Sequence, residues 1–119
     1  DGVRPLVGTS TIQRTFEAAA THGAAVPVLP VDDTLREKKG DDSQRVDRGR
    51  FVRVQTPQCF RTALLKKAYQ QEYSESFTDD ASVVEQMGER IELVKGNVEN
   101  FKITVPFHLQ VAETVLSAR

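Results

Sequence analysis

The segment Phe51-Val52-Arg53-Val54-Gln55-Thr56-Pro57 narrows the possible folds more than any other stretch of this chain. It opens in a strand pattern that runs to Val54. Pro57 then ends the ladder, because a proline has no N–H to donate. Gln55, Thr56 and Gln58 crowd the stop, and a helical pattern starts after Arg61. α/β proteins place their ligands at such junctions, outside the carboxyl ends of strands. Taken alone, the segment fits a polar connecting turn equally well, so the rest of the chain has to decide.

The remaining pattern alternates strands with helices. Ser10 and Gln13 have capping-box spacing, and Ile12, Phe16, Ala19 and Ala20 follow at helical intervals up to His22 and Gly23. Ala24 to Val28 is a short apolar strand, interrupted by Pro27 and followed by Pro30. A turn at Lys39-Gly40-Asp41-Asp42 joins Thr34–Lys38 to Gln44–Val54 as an extended hairpin, giving a β-arm over residues 31–54. From Arg36 to Arg53 this arm carries seven basic and four acidic residues. A second helix is expected from Thr62 to Tyr73. A third, capped by Thr78 or Asp79, carries Val83, Val84 and Met87 to Gly88. Ile91–Val94 and Phe101–Thr104 read as strands. Pro106 opens a last helix whose Leu109, Ala112, Val115 and Leu116 should face inward. This order predicts one α/β domain over residues 1–119 with a mainly parallel sheet and a protruding arm.

Composition excludes several classes. With 16 basic against 17 acidic residues, the chain lacks the cationic excess of a nucleic-acid-binding domain. No apolar run approaches the roughly 20 residues that span a bilayer. The single cysteine excludes an internal disulfide and suits a reducing, cytoplasmic setting. Cys59 has no neighbouring histidine and reads as a small packed residue. His22 and His108 lack metal-ligand spacing. The seven glycines form neither a dinucleotide nor a P-loop pattern, so this chain alone builds no nucleotide-phosphate loop. The start at Asp1, just before an Arg-Pro turn, looks cut.

Polar residues that packing does not require gather at strand ends: Asp1 and Arg4, Thr34, Asp47 and Arg48, Thr56, Thr78 to Asp80, and Lys102. Arginine forks, a lysine and threonine hydroxyls suit an anion that also carries hydroxyls, such as a sugar phosphate. Thr78 reads as a phosphate donor at a helix N-terminus, where plain capping is the alternative. Arg48 alternatively pairs with Asp47 on the surface. Lys102 alternatively lies on a solvated face, and Asp1 either approaches Mg²⁺ and a hydroxyl or frays.

In order along the chain, Asp1-Gly2-Val3-Arg4-Pro5, Asp33-Thr34-Leu35, Val46-Asp47-Arg48, Gln55-Thr56-Pro57-Gln58, Thr78-Asp79-Asp80-Ala81-Ser82 and Lys102-Ile103-Thr104-Val105-Pro106 closely resemble the 2-C-methyl-D-erythritol 4-phosphate cytidylyltransferases. The resemblance covers the C-terminal half, or slightly more, of that family's length. It implies a Rossmann-like nucleotidyltransferase fold and a homodimer with an arm swapped between subunits. It also implies transfer of a cytidylyl group from CTP to the sugar phosphate with Mg²⁺ present. Asp1 is then near the metal with Arg4 supporting it, Thr34 and Arg48 reach the neighbouring subunit's substrate, and Thr56, Thr78 and Lys102 hold it within their own.

The family's Gly-rich loop, with the Arg and Lys that clamp the CTP phosphates, lies before Asp1. This chain alone is therefore expected to be inactive and, with strand edges unpaired, to associate. His108 stands where the family usually has an acidic residue, and is expected to act in helix capping. Ribitol 5-phosphate cytidylyltransferases share nearly all these motifs and form the alternative. A non-catalytic fragment that dimerises or binds sugar phosphate is the alternative of another class.

Overall fold

The computed structural model describes residues 2–119. Their hub is β1 (Ala24–Pro30), which is buried over most of its length, with Ala24 and Ala25 fully enclosed. Along one edge β1 pairs in parallel with β6 (Glu92–Lys95), from Ala25 opposite Glu92 to Val28 opposite Lys95. Two short antiparallel strands share the other edge. β4 (Val52–Val54) lies opposite Val28 to Pro30, and β5 (Cys59–Phe60) opposite Ala24 and Ala25. They are two halves of one interrupted strand. The α/β class holds, while pairing among the described residues is mixed: β1 has one parallel and two antiparallel neighbours.

The interruption has a local cause. Residues 55–58 stand opposite only Val26 and Pro27, so the chain between β4 and β5 has to bow outward. The N–H and C=O of a strand residue face the same edge. The Pro27 carbonyl accepts from the Gln55 N–H at 2.8 Å, so the donor that Pro27 lacks would have faced this same edge. Pro27 therefore lies within β1 without breaking it, contrary to the interruption expected there, because the ladder beside it stops at Gln55. The Thr56–Pro57 peptide is cis.

α1 (Thr9–His22) packs against β1, β5 and β6. Its buried residues are Thr11, Thr15 and Ala19, while Ile12 and Phe16 are 43% and 67% exposed. The apolar stripe read from the sequence is therefore not the stripe that faces the sheet. Two threonines can be buried there because Thr15 donates to the Thr11 carbonyl at 2.7 Å and Thr11 donates to Asn97. Nor does Ser10 cap the helix: it begins at Thr9 after Gly8, whose N–H is taken by Asn97 Oδ1 at 3.3 Å. Gly23, at φ 98°, closes the helix as expected.

A hydrophobic core cluster joins Ala24 to α2 (Thr62–Ala68) and α3 (Asp80–Gln86) through Ala68, Val83 and Val84, with Phe60, Leu64 and Phe77 among the residues packed against it. α2 stops well short of Tyr73, because Gln71 folds back and donates to the Ala68 and Val83 carbonyls at 2.7 and 2.8 Å.

The arm is a two-stranded hairpin, β2 (Leu35–Lys39) against β3 (Asp42–Val46), turned at Gly40 with φ 62° and separate from the main sheet. The second half of the expected arm does not continue it. Asp47 accepts from the Gly49 N–H at 2.9 Å, a 3₁₀ turn forms over Arg48–Arg50, and the chain then enters the main sheet as β4.

Residues 101–104, expected as a strand, form no strand ladder among the described residues; Ile103 N–H donates to the Val3 carbonyl at 2.7 Å. α4 (Pro106–Ala118) starts on its proline as expected. It buries Ala112, whereas Leu109 and Leu116, expected inward, are half exposed.

Candidate functional site

The bowed turn at 55–58 organises the surrounding loops. Gln55 is 5% exposed, and its side-chain nitrogen donates to the backbone carbonyls of Asn97 and Asn100 at 2.9 and 3.0 Å. Its side-chain oxygen accepts from the Asn97 N–H at 3.2 Å. Asn100, fully buried, answers with a 2.6 Å bond to the Thr56 carbonyl. These bonds fasten the loop after β6 to the break in the neighbouring strand. Gly96 is required for the fit, since a Cβ there would lie 2.2 Å from the Gln55 side-chain oxygen and 3.2 Å from the Val28 carbonyl.

Gln58 fastens the other side. It donates to Asp79 Oδ2 at 2.9 Å and accepts from the Ala81 N–H at 3.2 Å, drawing the start of α3 onto the turn. Asp79 accepts from the Ser82 N–H at 2.8 Å, and the Ser82 hydroxyl accepts in return from the Asp79 N–H at 3.1 Å. Partial burial alone would raise the Asp79 pKa, but the bonds from Gln58 and Ser82 outweigh it and hold the carboxyl below its ordinary value. Thr78 therefore sits beside helix N–H groups that are already partly engaged. Asp79 and Gln58 already occupy two of them, and α3 is only seven residues long. Thr78 itself is exposed, immediately before that cap.

Arg4 closes the arrangement from the N-terminal side, donating to the Asn100 carbonyl at 2.7 Å. Partial burial lowers its pKa from the usual value, and a guanidinium still keeps its charge at any ordinary pH. Arg4 and Lys102 line one cleft of about 350 Å³ with Arg53, Thr104 and His108, over a floor that includes Leu29 and Phe101. Among the described residues, no carboxylate lines this cleft. His108 caps α4 as expected, its Nδ1 accepting from the Thr104 N–H at 3.0 Å and the Val105 N–H at 3.4 Å. An acceptor Nδ1 puts the ring proton on Nε2.

The predicted residues thus fall into two groups. Arg4, Thr56, Thr78 and Lys102 surround the broken strand. Lys102 lies two residues beyond Asn100, which is bonded to Thr56, and Thr78 immediately precedes Asp79, which is bonded to Gln58. Thr34 and Arg48 lie at the base of the arm. Arg48 lines a different cleft, of about 570 Å³, and donates to the Asp32 carbonyl at 2.6 Å, not to Asp47. Asp1 lies outside the described residues, so its assignment to the metal has no counterpart here. Among the described residues, no group of three His, Cys, Asp or Glu side chains could hold a metal ion. Burial raises the Cys59 pKa, which suits a packed thiol and not a nucleophile.

Sequence reasoning missed Gln55, Asn97 and Asn100 as a buried network, and Arg53 as a lining residue. Two asparagines closely following Gly96 were the available signal, but they read equally well as an ordinary turn.

A family model described as 2-C-methyl-D-erythritol 4-phosphate cytidylyltransferase matches residues 1–118. The enzyme of that name from Phocaeicola vulgatus is 51% identical over 116 residues, covering 98% of this chain and 53% of its own length. The Porphyromonas gingivalis enzyme is 46% identical over 119 residues, at 99% and 54% coverage. The crystal structure of the Thermus thermophilus enzyme superposes with a TM-score of 0.84 at 42% identity, covering 97% of this chain and 58% of that one. The chain spans about half the length of the curated relatives it matches. The order of strands and helices, the loops fastened around the broken strand and these likenesses agree: the chain belongs to the 2-C-methyl-D-erythritol 4-phosphate cytidylyltransferase family and has part of a Rossmann-like α/β nucleotidyltransferase fold.

Proposed function

We propose that the intact protein transfers the cytidylyl group of CTP to 2-C-methyl-D-erythritol 4-phosphate in non-mevalonate isoprenoid synthesis. In this proposal residues 1–119 supply the sugar-phosphate site and the dimer arm. The observation that carries the reading is the cleft lined by Arg4 and Lys102 with no carboxylate among its described lining residues. A concave site with one sign of charge attracts and holds an anion. An oxygen of the sugar phosphate attacks the α-phosphorus of CTP. The bond from that phosphorus to the oxygen bridging to the β-phosphate breaks, and pyrophosphate leaves with the electron pair. Such a step needs positioning and charge neutralisation and no covalent enzyme intermediate.

Lys102 and Arg4 hold the phosphate, while the Thr56 and Thr78 hydroxyls orient the sugar. Mg²⁺ enters this proposal with the CTP phosphates. It commonly keeps phosphate oxygens and one or two carboxylates as ligands, and Asp1 is the carboxylate proposed. Thr34 and Arg48 act from a second copy: an isolated two-stranded hairpin is marginal in water, so an arm separate from its own sheet gains by lying on a neighbour. Among the described residues, no helix is long and apolar enough to cross a membrane, and we assign the protein to the cytoplasm, where CTP is made.

Pyrophosphate release from CTP by the intact protein tests the reading with each alcohol phosphate in turn. Turnover with methylerythritol phosphate is expected. Turnover confined to ribitol 5-phosphate would replace this substrate with the pentitol phosphate, and none with either would leave a binding module.

A further inference from the structure

We infer that Arg53 is a further anion-binding residue of this site, gripping the phosphate of the alcohol substrate together with Lys102. The inference rests on the reading proposed above and names a contact that it lacks. Arg53 occupies the middle of β4, opposite Leu29 of β1, and its side chain lines the same cleft as Arg4 and Lys102. Its Nε donates to the Pro30 carbonyl at 3.2 Å, so the guanidinium is tethered at one end. Its two terminal nitrogens, and the Lys102 ammonium, have no protein partner among the described residues.

An arginine held by its Nε presents both terminal N–H groups as a fork suited to two phosphate oxygens, whereas a lysine offers a single point of charge. A carboxylate in the lining would compete with a ligand for that fork. Here the lining offers Thr104 and His108 instead, and the tether sets the fork before any ligand arrives, which lowers the ordering cost of binding. The Leu29 and Phe101 floor suits a small carbon skeleton carrying the anion. The phosphate could belong to the alcohol or to CTP. We assign it to the alcohol, because Arg53 shares its cleft with Lys102.

The experiment uses the intact protein with Arg53→Gln, which keeps a donor for Pro30 but removes the charge, and with Arg53→Lys. Unchanged far-ultraviolet circular dichroism and melting temperature establish that each variant is folded. Arg53→Gln is expected to raise KM for the alcohol phosphate about tenfold, to leave KM for CTP unchanged and to spare kcat more than kcat/KM. Arg53→Lys should recover part of the loss. In parallel, inorganic phosphate titrated into the wild type should shift the backbone amide resonances of residues 53 and 102, and less so in Arg53→Gln. An unchanged KM for the alcohol phosphate, or a rise confined to CTP, overturns the assignment. Phosphate-induced shifts that depend on Arg53, in a wild type that turns over neither alcohol phosphate, would keep the anion site and overturn the reading of the reaction.

Discussion

At the scale of single residues, Gln55 illustrates how a polar side chain becomes structural. In the sequence it stood with Thr56 and Gln58 as one of several polar groups at a strand end. In the structure it is buried, and its amide spends both ends on the backbone of residues 97–100. A buried amide left without its partners costs about 1–3 kcal/mol. Gly96→Ala should incur roughly that cost, because the added Cβ displaces the Gln55 side chain from the position its bonds require. Denaturant melts of Gly96→Ala, Gln55→Ala and the double variant check this. The double variant should lose less than the sum of the singles, since the clash and the bonds involve the same amide. Nothing in the local sequence separated Gln55 from Thr56, because burial is decided by a loop more than forty positions away.

At the scale of elements, the sequence foretold most helices and strands where one face decides their form, and failed where tertiary bonds do. α3 was legible because Thr78-Asp79 and Ser82 carry a local cap. The length of α2 was not, since it depends on Gln71 reaching Val83 on another helix. The stripe of α1 was misjudged because apolar content pointed to Ile12 and Phe16, while hydrogen bonding let Thr11 and Thr15 take the buried side.

The α3 cap also makes an acid-dependent prediction. The Asp79 pKa is lowered in the fold, so its contribution is fully present above the unfolded carboxylate value of about 3.9 and is lost as pH falls through the folded value. Hydrogen-exchange protection of the Ala81 and Ser82 amides should therefore decline below about pH 4. Asp79→Ala should remove that dependence and cost about 1 kcal/mol of stability at neutral pH. Because Asp79 is largely exposed, the electrostatic share is small and weakens further with salt.

At the scale of the whole molecule, the separation of Arg48 from Lys102 is the informative result. They line different clefts of one chain, yet both were assigned to the same substrate. The proposed second copy would reconcile this, with the arm of one subunit serving the cleft of the other. If so, intact Arg48→Ala and Lys102→Ala proteins, each strongly impaired alone, should regain activity when co-refolded, approaching a quarter of the wild-type level if pairing is random and one of the two sites in each mixed dimer is whole. The pyrophosphate-release assay on the mixture checks this, and no recovery would place both residues in one subunit. The sequence had conveyed the arm's existence through its turn and charge pattern. Where the arm ends was hidden, since Asp47 bonding to Gly49 is what diverts the chain into the main sheet.

The fastening of the broken strand has a consequence for how such a protein can change over generations. Gln55 grips residues 97 and 100 mostly by their backbone, and Gln58 grips Ala81 by its N–H. Backbone groups are the same whatever side chain the loop carries. An exposed loop residue such as Val98 is therefore free to drift without loosening the frame. A lineage could retune the pocket toward a related alcohol phosphate one neutral step at a time, while the two glutamines and Gly96 stayed fixed.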